Sequence, residues 1–320
     1  VKVVDFSTSN KETAEMKRLF IIFTIAMVAC ASCKERKTET NKQESAMADG
    51  STFDNGYSEV NGLKMYYEVY RPVGSVNIQG VPLVLIHGGG STIQTTFERA
   101  IPLFAKSREV IAVELQAHGR TSDRDSDLSF EQDADDIAVL LKNLKIGKAD
   151  FFGFSNGGTT VLHLAIRHPD MIHKIVLGSA IAKRNGVPEG FWDFMSQARL
   201  ENMPEQLKVA YRQVASDSNL LQVMHDKDAK RMVGFRDIPD EQLKSIKAPT
   251  LIITGDRDVV APEHALELHR QIANAELAII PGGHGEYIGE ITTISPDFKE
   301  SELVVPMIEK FLNKEVGDSY

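Results

Sequence analysis

The run Phe151-Phe152-Gly153-Phe154-Ser155-Asn156-Gly157-Gly158 constrains this chain more than any other stretch. The apolar residues over 148–154 predict a buried strand, and the apolar spacing over 156–167 predicts a helix. Ser155 is thereby held on a strand-to-helix turn, flanked by Gly153 and Gly157 at the Gly-x-Ser-x-Gly spacing. So tight a turn leaves no room for larger flanking side chains and pushes the serine hydroxyl outward. Two readings of Ser155 stand, a reactive nucleophile and an ordinary helix cap; its place at the junction favours the nucleophile.

Strands and helices alternate on either side of this turn. Residues 56–60 and 63–70 read as two strands joined by Asn61-Gly62, a hairpin signal because both residues tolerate positive φ. The continuous apolar run 81–86 marks a strand covered on both faces, and it ends in His87-Gly88-Gly89-Gly90. A helix is expected over 93–106 and a strand over 109–115, followed by the loop Gln116-Ala117-His118-Gly119-Arg120-Thr121. Ser129-Phe130-Glu131-Gln132 then opens a helix with capping-box spacing that runs to about 144. Further strands are expected over 172–179, 249–254 and 276–281, with helices over 262–273 and 298–313. This pitch predicts an α/β protein with a mostly parallel central sheet and helices on both faces.

The alternation breaks over 182–246, where helical periodicity prevails and aromatic and methionine side chains are scattered, among them Phe191, Trp192, Phe194, Met203 and Met224. We read this span as an inserted helical cap, with 56–181 and 247–320 forming the core. An apolar content of 42% in 320 residues is enough to fill it. A formal net charge of -9 argues against a nucleic-acid partner, since phosphate binding needs clustered Lys and Arg.

The amino terminus departs from the globular pattern. Met16-Lys17-Arg18 precedes an apolar run over 19–29 that is too short for an ordinary membrane span. The run ends in Cys30-Ala31-Ser32-Cys33-Lys34 and resembles a bacterial lipoprotein signal, with Cys33, or Cys30 as the alternative, the acylated residue. Residues 1–33 are thus expected to be an upstream extension and a signal, Met16 being the natural start. Residues 34–55 are expected to be a polar tether, and the protein to be exported and lipid-anchored in a bacterial cell envelope. A redox role for the Cys-x-x-Cys pair is disfavoured, because it does not open a helix in a βαβ unit.

A serine hydroxyl is a weak nucleophile that needs an adjacent base held by a carboxylate. In a parallel sheet such groups gather at the carboxyl ends of the strands. The last two strands supply Gly255-Asp256-Arg257-Asp258 and Gly282-Gly283-His284-Gly285, giving the chain order Ser, Asp, His.

These four motifs, His87-Gly88-Gly89-Gly90, Gly153-Phe154-Ser155-Asn156-Gly157, Gly255-Asp256-Arg257-Asp258 and Pro281-Gly282-Gly283-His284, resemble those of the α/β-hydrolase superfamily over about 57–312. The resemblance implies that Ser155 attacks an acyl carbonyl, His284 carries the proton and Asp258, rather than Asp256, orients His284. It also implies an oxyanion hole of backbone N–H groups from Asn156 and Gly89, with Gly90 as the fallback for the second donor. One departure is Glu114-Leu115-Gln116-Ala117-His118-Gly119-Arg120-Thr121, where many relatives carry Asp and a Gly-x-Gly-x-Ser loop.

The expected activity is therefore that of a cofactor-independent serine hydrolase acting on small carboxylic esters. The same triad could cleave a lactone, an amide or a C–C bond, or carry out perhydrolysis; a non-catalytic ligand-binding protein on this fold is a more distant alternative. Gly90, His118 and Trp192 are candidate substrate-pocket residues, although the cap aromatics, Trp192 above all, read more readily as packing. No metal is expected, since His163, His168, His173, His225, His264 and His269 lack ligand spacing. Asp133, Asp135 and Asp136 suit the helix dipole and solvent rather than calcium.

Overall fold

In each central strand, neighbouring side chains enter different apolar layers, as the two-residue period of a strand requires. Phe151, Val84 and Ile175 lie in one buried layer, and Phe152, Leu85 and Val176 in the other. A sheet buried on both faces must be covered twice, which is the physical reason for the continuous apolar runs. The computed structural model describes residues 43–46, 52–72, 80–295, 297 and 299–315, with the backbone alone at 43–46 and 52.

The sheet has nine strands among the described residues, in the order β1-β2-β3-β5-β4-β6-β7-β8-β9. They are β1 (Gln43–Ala46), β2 (Thr52–Val60), β3 (Leu63–Tyr70), β4 (Leu83–Ile86), β5 (Val110–Val113), β6 (Ala149–Phe154), β7 (Ile172–Gly178), β8 (Thr250–Gly255) and β9 (Ala275–Ile280). The pairs β1-β2, β2-β3 and β3-β5 are antiparallel, and β4 to β9 pair parallel with one another. Chain progression reverses at β4, which lies between β5 and β6. The loops leaving β4 and β6 therefore adjoin at the carboxyl edge, the place where open α/β sheets bind ligands. Ile86 is paired with Gly153, so His87-Gly88-Gly89-Gly90 emerges directly beside Ser155.

Helices α1 (Ile93–Phe97) and α2 (Ile101–Phe104) lie against the second apolar layer with α10 (Ser301–Leu312). Helices α3 (Phe130–Asn143), α4 (Asn156–Arg167) and α9 (Pro262–Gln271) cover the first. Between β7 and β8 the chain forms α5 (Phe191–Ser196), α6 (Glu205–Val214), α7 (Leu220–Val233) and α8 (Asp240–Ser245). No strand occurs in this span. Its final part returns to the core, because Ile238, Leu243 and Ile246 are buried in the first apolar layer.

Three local expectations need correction. The helix expected over 93–106 is broken into α1 and α2, since Pro102 inside a continuous helix would clash with the preceding turn and lacks an N–H; it sits instead in the first turn of α2. The expected polar tether over 34–55 contributes β1 and the start of β2, with Gln43 opposite Asn55. Ladder pairing uses backbone groups and needs no apolar face, so composition alone did not disclose it. At the start of α3, Ser129 Oγ accepts from the Gln132 N–H at 3.1 Å, but the Gln132 side chain donates to Asp136 at 2.9 Å, leaving half a capping box. Cys30, Cys33 and the apolar run over 19–29 lie outside the described residues.

Candidate active site

The turn between β6 and α4 is built by close backbone approach. A Cβ on Gly153 would lie 2.1 Å from the Gly157 carbonyl oxygen, and one on Gly157 would lie 2.2 Å from that of Ile86. Only glycine fits at either position. Ser155 itself takes φ 54° and ψ -120°, a conformation rarely adopted by residues with a side chain, and is held there by its N–H bond to Gly178 O at 2.8 Å. Its carbonyl oxygen accepts from Thr159 N–H at 3.1 Å, starting α4. Nothing caps α4 through the Ser155 hydroxyl, so the helix-cap reading has no support in the geometry.

Ser155 Oγ is 3.1 Å from His284 Nε2, and His284 Nδ1 is 2.6 Å from Asp258 Oδ1. Nδ1 facing a carboxylate carries the proton, which leaves Nε2 as an acceptor toward Ser155. The His284 ring rests on Phe154, with centroids 4.7 Å apart. Its loop turns sharply at Gly285 (φ 74°), where a Cβ would lie 2.6 Å from the Phe154 ring.

Asp258 has no exposed side-chain surface, and both its oxygens are occupied. Oδ1 also accepts from Val260 N–H at 3.0 Å; Oδ2 accepts from Ser179 Oγ at 2.6 Å and from Gly255 N–H at 3.3 Å. Ser179 donates to Asp258, so Tyr287 OH, 2.9 Å away and fully buried, donates to Ser179. Burial alone would raise the Asp258 pKa, but the hydrogen bonds and charge from His284 and the bonds from Ser179 and Val260 hold it below the usual carboxylate value. Asp256, by contrast, accepts from Gly282 N–H at 2.8 Å and shapes the loop.

Gly89 and Asn156, the two residues whose amides are expected to face an oxyanion, lie side by side. A Cβ on Gly89 would fall 2.4 Å from Asn156 Nδ2, and neither backbone N–H has an acceptor among the described residues. Gly90 differs. Its N–H donates to His118 Nε2 at 3.2 Å, which removes it as the fallback donor.

His118 was a candidate for the substrate pocket. It is instead fully buried, with Nδ1–H donating to Gln116 O at 2.8 Å, and it supports the Gly90 turn from beneath. Beside it His87 is also buried, and desolvation together with the neighbouring imidazole pushes its pKa down to about 3. The Glu114 carboxylate accepts from the Arg120 backbone and guanidinium, filling the space that a side chain at Gly119 would need.

Trp192, a candidate pocket residue with packing as the favoured reading, packs and does not line the cavity. Its indole N–H donates to Arg184 O at 2.8 Å, while its ring stacks on Phe235 at 5.3 Å and carries the Arg184 guanidinium at 4.0 Å. It packs the base of α5. The cavity beside the oxyanion loop, about 310 Å³, is lined by Gly89, Gly90, Met203, Leu207, Met224 and Asp228 among others.

Asp228 on α7 escaped the sequence reading. Its Oδ1 accepts from Asn156 Nδ2 at 3.2 Å and from Arg231, whose guanidinium also meets Asp133 at 2.7 Å. Burial opposes its ionisation, but the Arg231 charge holds the Asp228 carboxyl well below the usual range. The available signal was its position: Leu221, Met224, Asp228 and Met232 share one helix face, and the three apolar members are buried. Ser179 and Tyr287 were missed because a single Ser after a strand and a Tyr in a loop carry no pattern.

The remaining acidic residues also differ from expectation. Asp133 and Asp136 are buried rather than solvated, paired with Arg231 and Arg124 respectively; only Asp135 is near the surface, with Arg167 and His168. His173 faces Asp150 at 2.7 Å and His264 accepts from Ala182 N–H at 3.0 Å.

Comparison with known proteins gives the same fold. Residues 81–223 match the family described as alpha/beta hydrolase fold. The chain is similar to the human serine hydrolase BPHL, at 27% identity over 271 residues, covering 79% of this chain and 89% of that protein. It is also similar to a pimeloyl-[acyl-carrier protein] methyl ester esterase of Neisseria meningitidis serogroup A, at 25% identity over 250 residues, 69% of this chain and 78% of that protein. Among solved structures, a serine hydrolase involved in carbazole degradation superposes with a TM-score of 0.64 at 21% identity, over 81% of this chain and 98% of the other. Strand order, elbow geometry and the family match over residues 81–223 agree, and the chain has the α/β-hydrolase fold.

Proposed function

We propose that the protein is a serine hydrolase that cleaves carboxylic esters through an acyl-enzyme, with Ser155 as nucleophile, His284 as general base and acid, and Asp258 as its orienting carboxylate. One observation carries this reading: the unbroken relay from Ser155 Oγ to His284 at 3.1 Å and from His284 to Asp258 at 2.6 Å. Ser155 Oγ adds to the ester carbonyl carbon as its proton passes to His284 Nε2. The carbonyl oxygen becomes an oxyanion, for which the free amides of Gly89 and Asn156 are the donors; each such bond is worth about 10²–10³ in rate. Collapse of the adduct breaks the C–O bond, and the alcohol leaves with the proton from His284. Water, deprotonated by the same imidazole, then releases the carboxylic acid and restores Ser155.

The names of the similar proteins, a serine hydrolase and a methyl ester esterase, support the same chemistry. The helices over 191–233 serve in this reading as a cap. Tyr211 OH reaches Ala117 O at 3.2 Å, and Asp228 reaches the elbow. A fluorophosphonate probe tests the assignment: it should label the wild type and not Ser155→Ala, and p-nitrophenyl butyrate turnover should be lost with the label. Absence of labelling in the wild type would point to a binding protein. We further propose export and acylation at Cys33, supported by the basic, apolar and Cys order over 16–33. Palmitate incorporation abolished by Cys33→Ala is the expected result, and label retained in that variant would redirect the anchor to Cys30.

A further inference from the structure

We infer that the cavity beside Gly89 and Gly90 is the acyl pocket, and that it selects unbranched apolar acyl chains of about six to ten carbons. This rests on the serine-hydrolase reading above. Three substituents of the reacting carbon must be placed. The carbonyl oxygen faces the amides of Gly89 and Asn156. The leaving oxygen faces His284 Nε2, which must hand it a proton. The acyl chain takes the remaining direction, away from His284. The cavity lies on that side: Gly89 and Gly90 form part of its wall, and no residue of the loop following β9 does.

Its other walls suit such a chain. Met203 and Leu207 approach the oxyanion loop closely, their terminal carbons 3.1 and 3.9 Å from where a Gly90 Cβ would be. Met224 is fully buried, and Met195 and Phe194 stand farther along the same cavity. Methionine is unbranched and adaptable, so walls of this kind accept a flexible chain more readily than a rigid ring of fixed shape. A volume of about 310 Å³, at roughly 30 Å³ for each water-sized group, holds about ten non-hydrogen atoms. That sets the upper length.

The test is the specificity constant for p-nitrophenyl esters from acetate to hexadecanoate, kept below their aggregation concentrations, in wild type, Leu207→Trp and Met203→Trp. Each methylene buried should raise kcat/KM by up to about fourfold, so octanoate should exceed acetate by about 50-fold or more, with hexadecanoate about tenfold below octanoate. An indole in the cavity should lower the octanoate-to-acetate ratio by about tenfold. The ratio is independent of the fraction of folded enzyme, so a poorly folding variant still reports. A wild-type ratio below about five, or one that neither substitution lowers, overturns the assignment. Failure of the underlying reading looks different, since no ester, acetate included, would then show turnover that depends on Ser155.

Discussion

Replacing Gly157 by Ala tests whether the spacing between β4 and the elbow governs the rate. The new Cβ would lie 2.2 Å from Ile86 O and 2.5 Å from His87 O, both backbone atoms with no rotamer to yield. Restoring ordinary contact requires the elbow and the end of β4 to separate by about 1 Å, at a cost of about 1–3 kcal/mol in stability. The same displacement moves Gly89 relative to Asn156 and Ser155, because only Gly88 separates Gly89 from His87. A misplacement of about 1 Å at reacting groups costs about 10² in rate. The assay is kcat/KM for p-nitrophenyl butyrate beside urea unfolding. Gly147→Ala is the control, since that glycine faces open space. A Gly157→Ala enzyme within about fivefold of wild type would refute the reasoning, because the two amides proposed as oxyanion donors would then tolerate misalignment.

The two neighbouring acids should separate cleanly: Asp258→Asn is expected to lower kcat by about 10⁴, whereas Asp256→Asn should cost less than about tenfold, and steady-state kinetics on one ester decides. Asp228→Ala leaves the buried Arg231 with Asp133 alone and should destabilise the fold by on the order of 3 kcal/mol; an unchanged urea midpoint would show that the pair adds nothing. Desolvation raises Glu114 from 4.5 to about 7 despite the Arg120 charge. Across that window the unfolded chain has lost a proton that the folded one retains, so stability declines as pH rises, by up to about 3 kcal/mol above the folded value. Urea midpoints at about pH 5 and about pH 8 should differ more in wild type than in Glu114→Gln, and equal pH dependence would remove the effect.

What was legible in the sequence was whatever is decided locally. The elbow could be read because its strand, its glycines and its helix are contiguous, and α4 spans the residues the periodicity predicts, Asn156–Arg167. The hairpin at Asn61-Gly62 was equally local, with both residues at positive φ. Asp258 and His284 were found because strand ends in a parallel sheet converge, which turns distant chain positions into a short search. Contacts made across elements were not legible. His118 is a loop residue at the active edge, yet it points inward to Gly90, held between Gln116 O and the Asp228 carboxylate of α7. Trp192 could be read as packing or pocket, and only the fold decides: its N–H found Arg184 O and its ring found Phe235. Asp228 reaches Asn156 across 72 residues of chain, and no local pattern encodes that pairing.

Helix α7 supplies Met224 to the cavity wall and, one turn later, Asp228 to the side chain of Asn156. A shift of this helix to admit a bulkier substrate would tilt the elbow as well. Selection for a broader diet through α7 would therefore be felt at once as slower turnover. Phe194 on α5 and Leu207 on α6 border the same space, and neither makes a side-chain hydrogen bond to the elbow. Diversification of substrate range in this lineage should accumulate on those two helices, while the face of α7 that carries Asp228 stays fixed.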